Sequence, residues 1–182
     1  MATGPSRPQL QHLVLNVRDI EASERFYELL GFERSGTLEG APVEMRFYRG
    51  AEDRHHDLAL IQLPDPAGAP PVPEWKMFTE QPGIAHLALA YPDRGAWLAQ
   101  IRHLQEHGVD FAVRGDHGMT HSAYVVDPDG HGVEVLYDLP EEVWAGDVNA
   151  ALSYFKPLPT RGPKSLEDNV DYPVFGAEPA AD

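Results

Sequence analysis

Apolar positions along the chain change period twice in the same way. The segment Leu10 to Val17 (LQHLVLNV) reads as a strand. Asp19 follows as a helix N-cap, and Ile20, Phe26 and Leu30 then recur at the spacing of one helical face before Gly31 supplies a stop. Three further strand-like runs cover Phe32 to Gly36, Val43 to Tyr48 and Asp57 to Leu63. The pattern then restarts. Ile84 to Tyr91 reads as a strand, Asp93 as a cap, and the helix that follows carries Leu98, Ile101 and Leu104 on its inner stripe and closes at Gly108. Strand-like runs over Asp110 to Arg114, Ser122 to Val126 and Val133 to Tyr137 complete the second unit.

Each unit is therefore βαβββ, and the register of the two argues for duplication. His12 and His86 are 74 positions apart, and so are Asp19 and Asp93. The expected organisation is an N-terminal tail (1–9), a first module (10–63), a proline-rich linker (64–83), a second module (84–140) and a C-terminal tail (141–182) laid over the body through Trp144, Tyr154, Phe155 and Phe175. The final AEPAAD is expected to be free. The predicted fold class is α+β, with the two βαβββ modules pairing into a cupped, barrel-like mixed sheet.

Composition narrows the function classes. The 182-residue chain is 42% hydrophobic, enough for a packed core, and its net charge of −15 disfavours nucleic acid and anionic membranes as partners. It has no cysteine, hence no disulfide and no thiolate ligand or nucleophile. Neither a long apolar run nor a leader-like start (MATGPSRPQLQHLVL) is seen, which fits a cytoplasmic protein.

One residue in the last strand is out of place. Glu134 interrupts the apolar run GVEVLY, and a carboxylate there needs water or a cation. His12 and His86 occupy equivalent points of the repeat, each in the middle of its first strand. If the units pack about a local two-fold, their side chains face one another and Glu134 completes a triangle. Two imidazoles and one carboxylate form a facial triad suited to Fe(II), with Mn(II) also fitting. Taken singly, a strand histidine is ordinarily a satisfied core or surface residue and a strand glutamate a solvated one; the metal reading rests on the three together.

The segments QHLVLNV, GIAHLAL and DPDGHGVEV resemble the vicinal-oxygen-chelate (glyoxalase/bleomycin resistance/dioxygenase) superfamily over roughly Leu10 to Leu139. DHGMTHSAYVVDPDGHGVEV is similar to the signature of type I extradiol (catechol 2,3-) dioxygenases. That resemblance implies an iron-dependent oxidoreductase acting on a small aromatic diol and O2, working as a homodimer. It also implies metal ligands at His12, His86 and Glu134, a proton-transferring His56 in RHHDLALI, and a substrate-orienting Tyr124. His117 matches the histidine of the family's His-Gly pair, although the stretch to Tyr124 is about two residues shorter; His121 is a second candidate for that role. His55 and His56 could instead simply end a loop, and Tyr124 could pack against the sheet. Phe47, Trp75 and Phe78 are candidate pocket residues.

Tyr124 and Glu134 share a face only if the hairpin turn is centred on Asp129, which a bulge at Gly130 would provide; a loop of even length would turn them to opposite faces. Matching LALIQLP to EVLYDLP puts Leu58 where the second unit has Glu134, which disfavours the four-ligand glyoxalase or isomerase pattern. A fosfomycin-type thiol transferase would need a cationic anion pocket, which has little counterpart in so acidic a chain. A drug-binding module of the bleomycin-resistance kind would need no metal, and the histidine–glutamate trio with His56 and Tyr124 weighs against it.

Overall fold

The computed structural model describes residues 8–50, 53–80 and 82–176. The expectations about a leader and about a free AEPAAD end fall mainly or wholly outside that set. The chain forms two compact units that divide between Pro71 and Val72. No helix among the described residues is long and apolar enough to cross a membrane.

In the first unit, β1 (Leu13–Val17) leads into α1 (Ile20–Leu29), followed by β2 (Glu33–Thr37), β3 (Met45–Arg49) and β4 (Leu58–Gln62). The strands form one mixed sheet in the order β1-β4-β3-β2, with β1 parallel to β4. Asp19 caps α1 by accepting from the Ala22 amide at 2.9 Å, and Gly31 follows with a φ of 92°, a conformation that side-chain-bearing residues rarely adopt. The predicted stripe is buried at Ile20, Phe26 and Leu30, and Ser23 and Tyr27 join it. Arg46 on β3 fastens the helix to the sheet: it donates to Glu21 at 2.8 Å, to Glu24, and to Glu44 at 2.7 Å. Arg46→Ala is expected to destabilise this unit by about 2–3 kcal/mol, read as a lower denaturant midpoint. Glu24 would keep Arg34 at 3.5 Å as its cation, while Glu21 and Glu44 are exposed enough to be hydrated.

In the second unit, β5 (Leu87–Ala90) precedes α2 (Arg94–Glu106), then β6 (Val113–Asp116), β7 (Thr120–Val126) and β8 (Gly132–Asp138). Asp93 caps α2 through the Ala96 amide at 2.8 Å. Trp97, Ile101 and Leu104 are its buried residues, so the inner stripe runs through Trp97 where Leu98 was expected. The Trp97 indole donates to the Val135 carbonyl at 2.9 Å, which fixes the helix over β8. The sheet order is β5-β8-β7-β6-β9, where β9 (Lys156–Pro157) is an extra strand from the C-terminal segment, antiparallel to β6. Two short helices, α3 (Glu141–Trp144) and α4 (Val148–Leu152), lead to it, and a 3₁₀ turn (Pro163–Leu166) follows. Each module thus makes its own open mixed sheet, of four and of five strands, and no closed barrel forms among the described residues.

Side-chain alternation gives the second sheet two different faces. His121, Ala123, Val133, Val135 and Tyr137 point towards α2, together with Arg114 and Asp116. Ser122, Tyr124, Glu134 and Leu136 point the other way, with Val113 and Gly115 of β6. The C-terminal segment covers part of both faces by turning round the β6 edge. Before β9 it lays Phe155 over Gly115. Beyond β9, the buried Arg114 guanidinium donates to the carbonyls of Pro159 at 3.0 Å and Glu167 at 2.9 Å.

Candidate functional site

The site face of the second unit is organised by the β7–β8 hairpin. Pairing runs without a slip from Thr120↔Asp138 to Val126↔Gly132, so Tyr124 stands directly opposite Glu134. The turn is centred on Asp129, as same-face placement requires. It closes through Gly130 N to Asp127 O at 3.1 Å and Asp127 N to His131 O at 2.9 Å, with Gly130 at a φ of 89°. The Asp127 carboxylate accepts from the Asp129 and His131 amides at 2.9 and 2.8 Å, which locks the register.

Glu134 is only 7% exposed, and its two oxygens are treated differently. Ser122 Oγ donates to Oε1 at 2.5 Å, while Oε2 lies 3.1 Å from His86 Nε2. Ser122 was not identified from the sequence; its place two residues before Tyr124 on the same face was the available signal. His86 itself sits one residue ahead of β5, not in the middle of a strand, because the parallel ladder with β8 starts at Leu87↔Val133. Its buried Nδ1 has no hydrogen-bond partner among the described residues, so Nε2 is the ring's polar anchor.

Tyr124 joins these groups to His117. The His86 ring meets the Tyr124 ring edge-on at 5.4 Å, and Tyr124 OH is 3.3 Å from His117 Nε2. Burial and the neighbouring Glu134 charge push the phenol pKa up, so Tyr124 keeps its proton at neutral pH. Burial holds His117 below 6.5 and outweighs the nearby carboxylates, so the ring is neutral there. Trp75 stacks on Tyr124 with centroids 5.7 Å apart and planes 18° apart, and its indole donates to Ala85 O at 2.7 Å. A Cβ on Gly132 would lie 2.1 Å from Trp75 Nε1. Gly132→Val is therefore expected to expel the indole and cost about 1–3 kcal/mol, seen as a lower melting temperature with changed Trp75 fluorescence.

The first unit holds the other predicted residues. His12 lies one residue ahead of β1, again outside the ladder, which starts at Leu13↔Leu58. Its ring is 4.6 Å from His56, which also meets Phe47 edge-on at 5.1 Å. Partial burial, then electrostatic interaction with His55 and His12, lowers the His56 pKa below 6.5, and Asp57 only partly offsets this. The ladders correct one alignment. Leu87↔Val133 matches Leu13↔Leu58, so Glu134, paired with Ala88, corresponds to Ala59, paired with Val14, and not to Leu58. Ala59 is fully buried and has no donor atom, so the corresponding position of the first unit still lacks a carboxylate.

His121 is brought elsewhere. It lies on the α2 face, fully buried, with Nδ1 2.7 Å from Asp168 Oδ1 and Nε2 3.5 Å from Asp116 Oδ2. It serves packing, not the site face.

The pattern of the Glyoxalase/Bleomycin resistance protein/Dioxygenase superfamily matches residues 9–135. The chain belongs to this superfamily. Among curated relatives, it is 30% identical to catechol-2,3-dioxygenase of Bacillus subtilis (strain 168) over 135 residues, 73% of this chain and 42% of that one. It is 31% identical to biphenyl-2,3-diol 1,2-dioxygenase 3 of Rhodococcus globerulus over 139 residues, 74% of this chain and 67% of that one. The chain thus spans less than half the length of the Bacillus relative. A superfamily domain from Frankia sp. EAN1pec shares the fold with a TM-score of 0.59 at 18% identity, over 74% of this chain and 100% of that one.

One relative is named an iron-dependent extradiol dioxygenase, and the donors of the second unit fit a divalent ion. Donors each about 2.1 Å from one ion at a right angle lie about 3 Å apart, the separation of His86 Nε2 and Glu134 Oε2. Ser122 holds the other carboxylate oxygen in the way that outer hydrogen bonds orient a ligand. Among the described residues, no three His, Cys, Asp or Glu side chains surround one centre.

Proposed function

We propose that the chain is an extradiol-type dioxygenase that opens a catechol ring at an Fe(II) centre, Mn(II) being the second metal that suits the ligands. The observation that carries this reading is the His86–Glu134 pair at 3.1 Å with Tyr124 opposite Glu134 and His117 3.3 Å from its hydroxyl. Two relatives named as dioxygenases of aromatic diols add support. His12, His86 and Glu134 would hold the ion, and Ser122 would fix the carboxylate. A bound Fe(II) would supply electron relay between the diol and O2.

The chain's own residues supply the rest. Tyr124, protonated at neutral pH, donates a hydrogen bond to a substrate oxygen and so orients the ring. His117 supports the Tyr124 hydroxyl, and Trp75 holds the phenol ring in place. His56, neutral near pH 7, accepts a proton from the substrate and returns it during ring opening. A glyoxalase-type isomerase would draw a further carboxylate from the first unit, where Ala59 stands.

The experiment is to load the protein anaerobically with Fe(II), quantify the iron, and offer a panel of catechols with O2. The expected result is oxygen uptake with a yellow ring-opened product. Iron-replete protein that turns over no catechol would overturn the reading in favour of an isomerase or a binding module. His56→Ala retaining both iron and full activity would remove only the proton-transfer role.

A further inference from the structure

His12 and His86 share more than their place in the repeat. Each stands one residue ahead of its ladder, where strand pairing does not set the direction in which the side chain leaves the backbone. In each unit, a side chain from a loop donates to the carbonyl of the residue just before the histidine. In the first unit the Arg54 guanidinium donates through Nη2 to Gln11 O. In the second the Trp75 indole donates to Ala85 O at 2.7 Å. Gln11 and Ala85 are 74 positions apart, the offset of the histidines themselves, so the two contacts fall on equivalent carbonyls.

The donors, by contrast, are unrelated. Arg54 lies between β3 and β4, 43 positions after Gln11, whereas Trp75 lies 10 positions before Ala85. Duplication would place the same side chain at matching points of the two units. Here different side chains, from points that do not match, reach the same backbone atom, which marks a shared requirement.

Each donor is itself held. Asp57 Oδ1 lies 3.0 Å from Arg54 Nη2. Asp57 is fixed in turn, with its N–H donating to Tyr48 O at 2.8 Å, its carbonyl accepting from Leu13 N at 2.9 Å and its carboxylate accepting from Gly50 N at 2.9 Å. Trp75 stacks on Tyr124, and Gly132 vacates the space that its Nε1 needs. Gly130 likewise leaves room for the Pro73 carbonyl, which would come within 2.7 Å of a Cβ there. The segment carrying Trp75 is thereby seated on the β7–β8 hairpin that carries Glu134.

A peptide group is planar, so tethering the Gln11 or Ala85 carbonyl also fixes the N–H of the following histidine and narrows the path of its Cα–Cβ bond. Ligands must be held within about 0.5 Å of their working positions, and residues behind them supply that precision. In the second unit His86 Nε2 comes to rest 3.1 Å from Glu134 Oε2.

We infer that Arg54 and Trp75 are positioning residues for the metal centre, each clamping the peptide group ahead of a histidine and so aiming His12 and His86. The inference rests on the ligand set of the proposed function, but the clamps exist without the metal, and the test keeps the two apart.

Hydrogen exchange of metal-free protein reads the clamps, and titration with Mn(II), followed by electron paramagnetic resonance of the free ion, reads their consequence. Trp75→Phe keeps an aromatic face on Tyr124 and removes the donor. Arg54→Met keeps an apolar stem and removes the guanidinium, and Arg54→Lys returns a cationic donor. Trp75→Phe is expected to speed exchange of the His86 and Leu87 amides about fivefold while those of His12 and Leu13 keep their native rates. Arg54→Met should do the reverse. Both should weaken Mn(II) binding about tenfold, with Arg54→Lys recovering most of the loss. Exchange that is unchanged, or raised evenly through a unit, overturns the inference, as does equal Mn(II) affinity in the native protein and both variants. Localised exchange in a protein that binds no Mn(II) upholds the clamps and overturns the metal reading alone.

Discussion

Glu134→Ala protein is expected to lose its divalent metal and, with it, at least about a thousandfold in ring-cleavage rate, while remaining folded. The carboxylate is held on one oxygen by Ser122 at 2.5 Å and aimed with the other at His86 Nε2, 3.1 Å away. Removing it leaves His12 and His86 as the only proposed ligands, and two imidazoles without a carboxylate do not hold Fe(II) against water and buffer. Folding should tolerate the loss, since Glu134 is the one charge in the buried part of β8, whose other charge, Asp138, lies at its exposed end, and no Arg or Lys among the described residues pairs with it. Metal content by elemental analysis and oxygen uptake, measured on the same sample, check this. Ser122→Ala should be milder, about 10–100-fold in metal affinity, because it frees the carboxylate to rotate without removing a donor. A Glu134→Ala protein that keeps stoichiometric iron would show that the ion sits elsewhere.

The second large effect lies on the opposite face of the same sheet. Asp168, brought in by the C-terminal segment, accepts from His121 Nδ1 at 2.7 Å, from Tyr137 OH at 2.7 Å and from Arg94 Nε at 2.6 Å. Asp168→Ala removes the acceptor shared by three donors, leaving the buried His121 and Tyr137 with each other at 3.0 Å and Asp116 3.5 Å from His121 Nε2, and is expected to destabilise the second unit by about 3–5 kcal/mol, read by chemical denaturation.

The same cluster makes stability depend on pH. Burial opposes the charged forms, but the mutual hydrogen bonds outweigh it, so His121 is held above 6.5 while Asp116 and Asp168 are held below 3.8. The carboxylate contribution is present above the unfolded carboxylate pKa and is lost as pH falls through the lowered folded value. The histidine contribution is present below 6.5 and is lost as pH rises through the raised folded value. His56 and His117, whose pKa values are lowered, act with the opposite sign in the neutral range. The stability difference between the native protein and His121→Gln should therefore be largest near pH 5–6 and shrink towards pH 9. A difference that stays constant over that range would show that His121 is not charged in the folded state.

Much of this arrangement was legible along the chain. The caps Asp19 and Asp93, the closing glycines Gly31 and Gly108, the α1 stripe and the Ile101 and Leu104 positions of α2 act between residues within a few positions of each other, so local periodicity reveals them, whereas Trp97 was missed in favour of Leu98. The pairing of Tyr124 with Glu134 was legible only as a condition, that the turn be centred on Asp129; the five residues Asp127 to His131 meet it through the hydrogen bonds of the turn. The site was less complete. His12 and His86 were seen, but each stands at its strand's entrance, since a strand ends where its partner's ladder ends and not where its own apolar run does.

What the sequence determined by itself is the duplicated βαβββ plan, its capped helices, and a hairpin turn between Tyr124 and Glu134, while the register that sets the phenol against the carboxylate is seen only in the structure. Tertiary structure alone decided that Ser122 orients Glu134, that Ala59 stands at the corresponding position of the first unit, that His121 belongs to the α2 face with Asp168, and that Phe155 lies over Gly115 beside the site. These contacts join residues up to 47 positions apart, and no local spacing encodes them. They follow from sheet register, which assigns each side chain to one face or the other, and from an added edge strand that carries the C-terminal segment across both.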